Sequence, residues 1–190
     1  YRDSEYVFLA NIDPALQMNV FEQIKNPKLV GLDTMNLWIN HKLDDLKKIL
    51  AKVDVLLINE GECRELTGDH SAVAGVLKLA EMGPKAVVVK RGEYGFLMYF
   101  ENQYFILPAF PVANVIDPTG AGDTFAAGFF GYLAKVDEGL NRQHLKQACI
   151  QGVLNASFTV EGFGVNKLKE LNWDLLEQRY VEYKQVINHL

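Results

Sequence analysis

Cysteine is scarce in this chain, and the spacing of a metal site is missing. Cys63 and Cys149 are the only two, with no Cys-x-x-Cys run and no Cys/His cluster. That sets aside a zinc site and a disulfide framework, and leaves reduced thiols in a cytoplasmic protein as the expectation. Long apolar runs are lacking too. None reaches the length of a membrane span, so no membrane partner is expected. Basic clusters are absent: Lys and Arg are dispersed and the net charge is −5, which argues against a nucleic-acid surface. The four histidines (His41, His70, His144 and His189) stand beside neither a nucleophile nor a second ligand. There is no Gly-x-x-x-x-Gly-Lys-Ser/Thr, which excludes a Walker-type nucleotide loop. No strand leads into Gly-x-Gly-x-x-Gly, which counts against a dinucleotide fold. Repeats, low-complexity tracts and linkers are also missing, so 190 residues read as one domain, 1–190, with a sizeable core.

What is present centres on Asp117-Pro-Thr-Gly-Ala-Gly-Asp-Thr-Phe125. A strand-like approach leads into it, and a helix rich in small residues leaves it through Ala126-Ala-Gly-Phe-Phe-Gly-Tyr-Leu133. Gly120 and Gly122 let backbone pass where a side chain would clash. The N–H groups of Gly120, Ala121 and Gly122 then open a helix, where unpaired donors and the helix dipole form an anion site. Asp123 lies in the same turn. An anion hole beside a carboxylate suits phosphoryl transfer: the donors hold charge on the moving phosphate, and the carboxylate accepts the proton of an attacking hydroxyl. The plainer alternative is a glycine-rich turn with Asp123 as an ordinary helix-start acid.

Strands alternate with helices along the rest of the chain. Tyr6–Ala10, Lys28–Leu32, Val53–Ile58 and Ala86–Val89 read as strands. Helices are expected from Pro14 to about Lys25, from Trp38 to about Lys52, from Asn59 to Leu66 and from about Ser71 to Met82. Phe96–Phe100 and Tyr104–Leu107 read as a hairpin around Glu101-Asn-Gln103. Asn141 to about Thr159 and Trp173 to about His189 close the chain as helices, with a turn at Glu161-Gly-Phe-Gly164 between them. In the last of these, Trp173, Tyr180 and Tyr183 read as packing residues. The expectation is a three-layer α/β/α, doubly wound, mostly parallel sheet. In such sheets ligands bind beyond the carboxyl ends of the strands. That places Asn59 and Glu62, Lys90 and Arg91, Asn11 and Asp13, and Asp33 and Asn36 where chemistry is expected.

The run from Asp117 to Gly128 closely resembles the C-terminal signature of the ribokinase-like carbohydrate kinases, the PfkB family. The resemblance covers nearly all of this chain but about the C-terminal two-thirds of a typical member. It implies that the first strands and the β lid lie outside this sequence, and that the chain, opening Tyr1-Arg-Asp3, is a fragment. It also implies ATP, Mg²⁺ and a small sugar or nucleoside as ligands, with Asp123 as base and Gly120, Ala121 and Gly122 as the anion hole. Asn59-x-x-Glu62 matches the family's Asn-x-x-Glu, whose Asn lies near the phosphates and whose Glu organises hydrated magnesium. The alternative is that Asn59 caps a helix with Glu62 and Glu65 as first-turn acids, Glu60 and Glu65 being solvated. Gly92 and Gly95 match the family's Thr-x-Gly-x-x-Gly, with Lys90 in place of the Thr. Lys90 then either meets ATP phosphates or forms surface ion pairs.

By the same resemblance Gln151 and Asn155 face the nucleotide, and residues 108–111 lie near adenine. Carbonyls of the Asp117 loop and the 161–164 turn would hold a monovalent cation, potassium. Asn11, Asp13, Asp33 and Asn36 fall in the acceptor region, although Asp33-Thr-Met-Asn36 departs from familiar sugar patterns. Asp13 and Asp33 as helix caps are the alternative. Members often form homodimers through the lid. Two rival functions share these features: a nucleotide or sugar sensor without catalysis, and an ATP-dependent dehydratase on a related fold.

Overall fold

Four parallel strands form the heart of the sheet: β1 (Tyr6–Leu9), β2 (Leu29–Asp33), β3 (Val55–Asn59) and β4 (Ala86–Lys90). Parallel neighbours require crossovers, and helices supply them. α1 (Pro14–Gln23) joins β1 to β2; α2 (Asn36–His41) and α3 (Leu43–Leu50) join β2 to β3; α4 (Glu60–Thr67) and α5 (Ala72–Glu81) join β3 to β4. β5 (Phe96–Phe100) and β6 (Gln103–Leu107) complete a six-stranded sheet whose order follows the sequence. The result is the mostly parallel α/β sheet expected.

The structure is a computed structural model describing residues 1–187. The expected end of the last helix near His189, and His189 itself, lie outside the described residues. The chain falls into two compact units: Tyr1–Arg91 with Leu97–Ile106, and Gly92–Phe96 with Leu107–Leu190.

In the first unit, Leu46, Ile49 and Leu50 form one stripe of α3 at helical spacing. They join Val76 and Leu79 of α5 and Leu56 and Ile58 of β3 in a single apolar core. Val55 and Leu57, on the other face of β3, are equally buried, as a continuous apolar strand predicts. The helix expected from Trp38 to about Lys52 is two. Lys42, at φ −138°, leaves helical space between α2 and α3, and no Gly or Pro announces the break. The hairpin turn is two residues long, not three. Glu101 and Asn102 both take positive φ (49° and 59°), the type I′ geometry that matches strand twist, and Gln103 begins β6.

The second unit is helical: α6 (Ala121–Val136), α7 (Arg142–Thr159), α8 (Asn166–Glu170) and α9 (Trp173–Ile187). α6 and α7 approach closely because their facing residues are small. A Cβ on Gly128 would lie 2.7 Å from the Gln151 carbonyl, and one on Gly152 would lie 2.8 Å from the Phe125 ring. α9 docks through Tyr183, fully buried, whose hydroxyl donates to the Pro108 carbonyl at 2.6 Å. Arg179 lies over the Phe158 ring and pairs with Glu161 at 2.9 Å. Two expectations are corrected here. The strand-like approach to Asp117 is no strand: residues 112–116 are irregular, Val115 and Ile116 are exposed, and the N–H groups of Ile116 and Asp117 go to the Val160 carbonyl instead of a ladder. Trp173 does not pack: it is 73% exposed, with Lys135 over its ring. α8 was not anticipated.

Candidate active site

The carboxyl ends of β2, β3 and β4 gather the polar residues of the first unit. Asn59 and Lys90 are register partners at the ends of β3 and β4. Asn59 is the N-cap of α4 in a reciprocal capping box. Its side chain accepts from the Glu62 N–H at 2.8 Å, and Glu62 Oε2 accepts from the Asn59 N–H at 3.0 Å. The capping alternative is therefore realised in the structure, and it leaves Glu62 buried at 6% exposure. Burial pushes the Glu62 carboxyl above its ordinary value. The Asn59 N–H opposes that shift, Asp33 adds to it and Lys90 opposes it.

Lys90 and Asp33 are ion-paired, Nζ to Oδ2 at 2.9 Å, with side chains 16% and 10% exposed. The other carboxylate oxygen of Asp33 accepts from the Thr34 N–H at 2.8 Å. Asp33 does not cap α2, whose N-cap is Met35 with no side-chain bond. Asp13 does cap α1, accepting from the Ala15 N–H at 2.9 Å. Asn11 accepts from the Trp38 indole at 2.7 Å, and Asn36 donates to Glu65. Glu65 also accepts from Asn40 at 2.7 Å, and Glu60 binds Arg64 and Arg91. Glu65 is exposed, as expected, and carries amide partners; Glu60 is half-buried between two guanidinium groups, a correction.

Gln17 was missed by sequence reasoning. It is 1% exposed, and its amide donates to the carbonyls of Leu9, Ala10 and Asp33 at 3.3, 2.9 and 3.1 Å. One side chain thus ties the ends of β1 and β2 together. The only signal was a polar residue on an otherwise inward-facing position of α1.

In the second unit, Gly120 is the N-cap of α6 at φ 81°, and among the described residues no side chain caps that end. The left-handed turn suits a glycine. Gly122 and Asp123 follow in the first turn, with Asp123 exposed. The Ala121 N–H is turned to the Pro118 carbonyl at 3.1 Å, so in this structure its donor is engaged locally. A hydroxyl relay fixes the loop: Thr159 donates to Thr124 at 2.9 Å, and Thr124 donates to the Gly120 carbonyl at 2.9 Å. Asp117 folds onto the Thr119 N–H at 3.0 Å, a bond that draws its carboxyl below the ordinary value. The N–H groups of Ile116 and Asp117 both donate to the Val160 carbonyl. Gly92 and Gly95 bracket a tight turn, and a Cβ on Gly95 (φ 87°) would strike the Leu107 carbonyl at 2.0 Å. Asn155 bends back to the Gln151 carbonyl at 2.8 Å, beside Gly128.

Similarity to known proteins is extensive. A cytidine kinase of Thermococcus kodakarensis is 33% identical over 70% of this chain and 49% of its own length. The chain spans about half the length of the curated relatives it matches. The crystal structure of the Methanocaldococcus jannaschii nucleoside kinase, an archaeal member of the ribokinase family, superposes with a TM-score of 0.72 at 26% identity, over 94% of this chain and 56% of that one. That of Vibrio cholerae fructokinase with fructose, ADP and calcium ion gives 0.79 at 23% identity, over 94% and 61%, a likeness of fold. The glycine-started α6 with Asp123 in its first turn and the capping-box α4 lie within the stretch, residues 4–171, that matches the model of the pfkB family carbohydrate kinases, and the chain belongs to that family.

Proposed function

We propose that this chain is the C-terminal part of an ATP-dependent kinase that phosphorylates a hydroxyl of a small sugar or nucleoside. The observation that carries the reading is the start of α6. A left-handed Gly120 opens the helix, no side chain among the described residues caps it, and an exposed Asp123 sits in its first turn. Uncapped N–H groups at a helix start suit the phosphates of a nucleotide, and the residues present fit one. Bound ATP with Mg²⁺ supplies the γ-phosphate. Asp123 takes the proton of the acceptor hydroxyl. The Gly120 and Gly122 N–H groups hold charge on the transferred phosphate, and Ala121 joins them once its N–H turns from Pro118.

Asn59 and Lys90 position phosphates, and Gly92 and Gly95 shape the turn that follows β4 in the chain. Glu62, buried and partly held by the Asn59 N–H, would hold magnesium through its bound waters. Gln151, Asn155 and Asp117 line the nucleotide side. Asn11, Asp13 and Asn36 border the acceptor. Carbonyls of the Asp117 loop and the 161–164 turn would hold potassium; the neighbouring Val160 carbonyl already accepts two N–H groups. Nucleoside acceptors rank first, because a cytidine kinase and a nucleoside kinase are among the relatives.

ADP release by the full-length protein, with magnesium, potassium and a panel of nucleosides and sugars, tests this reading. Acceptor-dependent release with a phosphorylated product is expected. Tight ATP binding with no release from any acceptor favours the sensor, and a product lighter by one water favours the dehydratase.

A further inference from the structure

Lys90 stands where the family resemblance leads one to expect threonine, and the structure gives it a partner that no threonine would need. Asp33 lies at the end of β2 and Lys90 at the end of β4, with β3 between them. Their side chains meet at 2.9 Å and are almost enclosed. Asp33 is itself fixed twice. Its Oδ1 takes the Thr34 N–H at 2.8 Å, and its carbonyl takes the buried Gln17 amide at 3.1 Å. The carboxylate is therefore a rigid anchor, whereas lysine is a flexible stem with three donors. The Asp33 bond uses one of those donors, and the others remain to serve a second anion.

We propose that Asp33 is a positioning residue for Lys90, not a contact to the acceptor, and that the pair acts as one unit in holding the nucleotide phosphates. The inference rests on the kinase reading and gives Asp33 a different part in it from that of Asn11, Asp13 and Asn36. An ammonium this enclosed is tolerated because it is paired. Without its counter-ion it is driven toward solvent, and the cation is lost from the strand end. Removing Asp33 should then resemble removing Lys90.

The test is calorimetric binding of a non-hydrolysable ATP analogue with magnesium to full-length wild type, Asp33→Asn, Lys90→Met and the double variant, with KM for the acceptor measured alongside. Each single variant should weaken the analogue roughly tenfold. The double variant should be no weaker than the worse single, and acceptor KM should stay within about twofold. Reduced thermal stability with unchanged nucleotide affinity would overturn the proposal and leave Asp33 purely structural. A raised acceptor KM with nucleotide affinity intact would overturn it in favour of an acceptor contact. Tighter nucleotide binding in Asp33→Asn would overturn it too, by making Asp33 a competitor of the phosphates. If wild type binds no nucleotide, the kinase reading itself fails, which the wild-type titration alone reveals.

Discussion

Glu62 serves structure while its carboxylate is held in a costly, buried place. It closes the capping box of α4, yet burial raises its carboxyl above the ordinary 4.5, with Asp33 adding to the shift. The folded protein therefore holds that proton more tightly than the unfolded chain does. Glu62 favours folding most below its ordinary value, and that contribution is lost as the pH rises through its folded value. Glu62→Gln keeps an oxygen for the Asn59 N–H and removes the titration. With magnesium chelated, its melting temperature relative to wild type should shift upward as the pH rises from 4.5 toward neutrality. A downward shift would contradict the assignment of cause. In the active protein the same substitution should raise the magnesium needed for half-maximal rate roughly tenfold, as loss of an outer-shell ligand does. An unchanged magnesium titration would remove Glu62 from the metal's surroundings.

At the scale of elements, the close approach of α6 and α7 is the most exacting contact. Gly128→Ala would set a methyl 2.7 Å from the Gln151 carbonyl and 2.8 Å from the Asn155 amide. Backbone cannot yield there, so the helices must part, at a cost of about 1–3 kcal/mol measured by urea unfolding. An unchanged midpoint would show that the helices are less tightly apposed.

The small residues that permit this packing were legible in the sequence, as were the buried strands, the Asn59 cap and the glycine-started α6. Each can be read from residue types and spacing within a short stretch of chain. Lys42 was not legible as a break, because it interrupts a periodic apolar stripe without a Gly or Pro. Nor were the partners that fold topology brings together: Lys90 with Asp33, Asn36 and Asn40 with Glu65, and Gln17 with three carbonyls. Spacing along a chain identifies candidate side chains, but it does not say which of them meet. Lys90 illustrates the point, since its alternatives were phosphates or a surface pair, and its partner in the structure is another candidate site residue.

On the scale of the whole molecule, family and fold agree. The family match spans residues 4–171, and ribokinase-family structures superpose over most of the chain. Both cysteines are buried, and burial raises each thiol, Cys63 to about 11. That fits packing residues better than nucleophiles and leaves Asp123 as the group proposed for proton transfer. The central claim is thus a division of labour in which Asp123 serves the chemical step and the nucleotide is held by other residues. The most direct test is Asp123→Asn in the full-length protein, with kcat and ATP-analogue affinity measured on the same preparation. The account predicts that kcat falls ~10²–10⁴-fold while the affinity is unchanged. A near-normal kcat would contradict it.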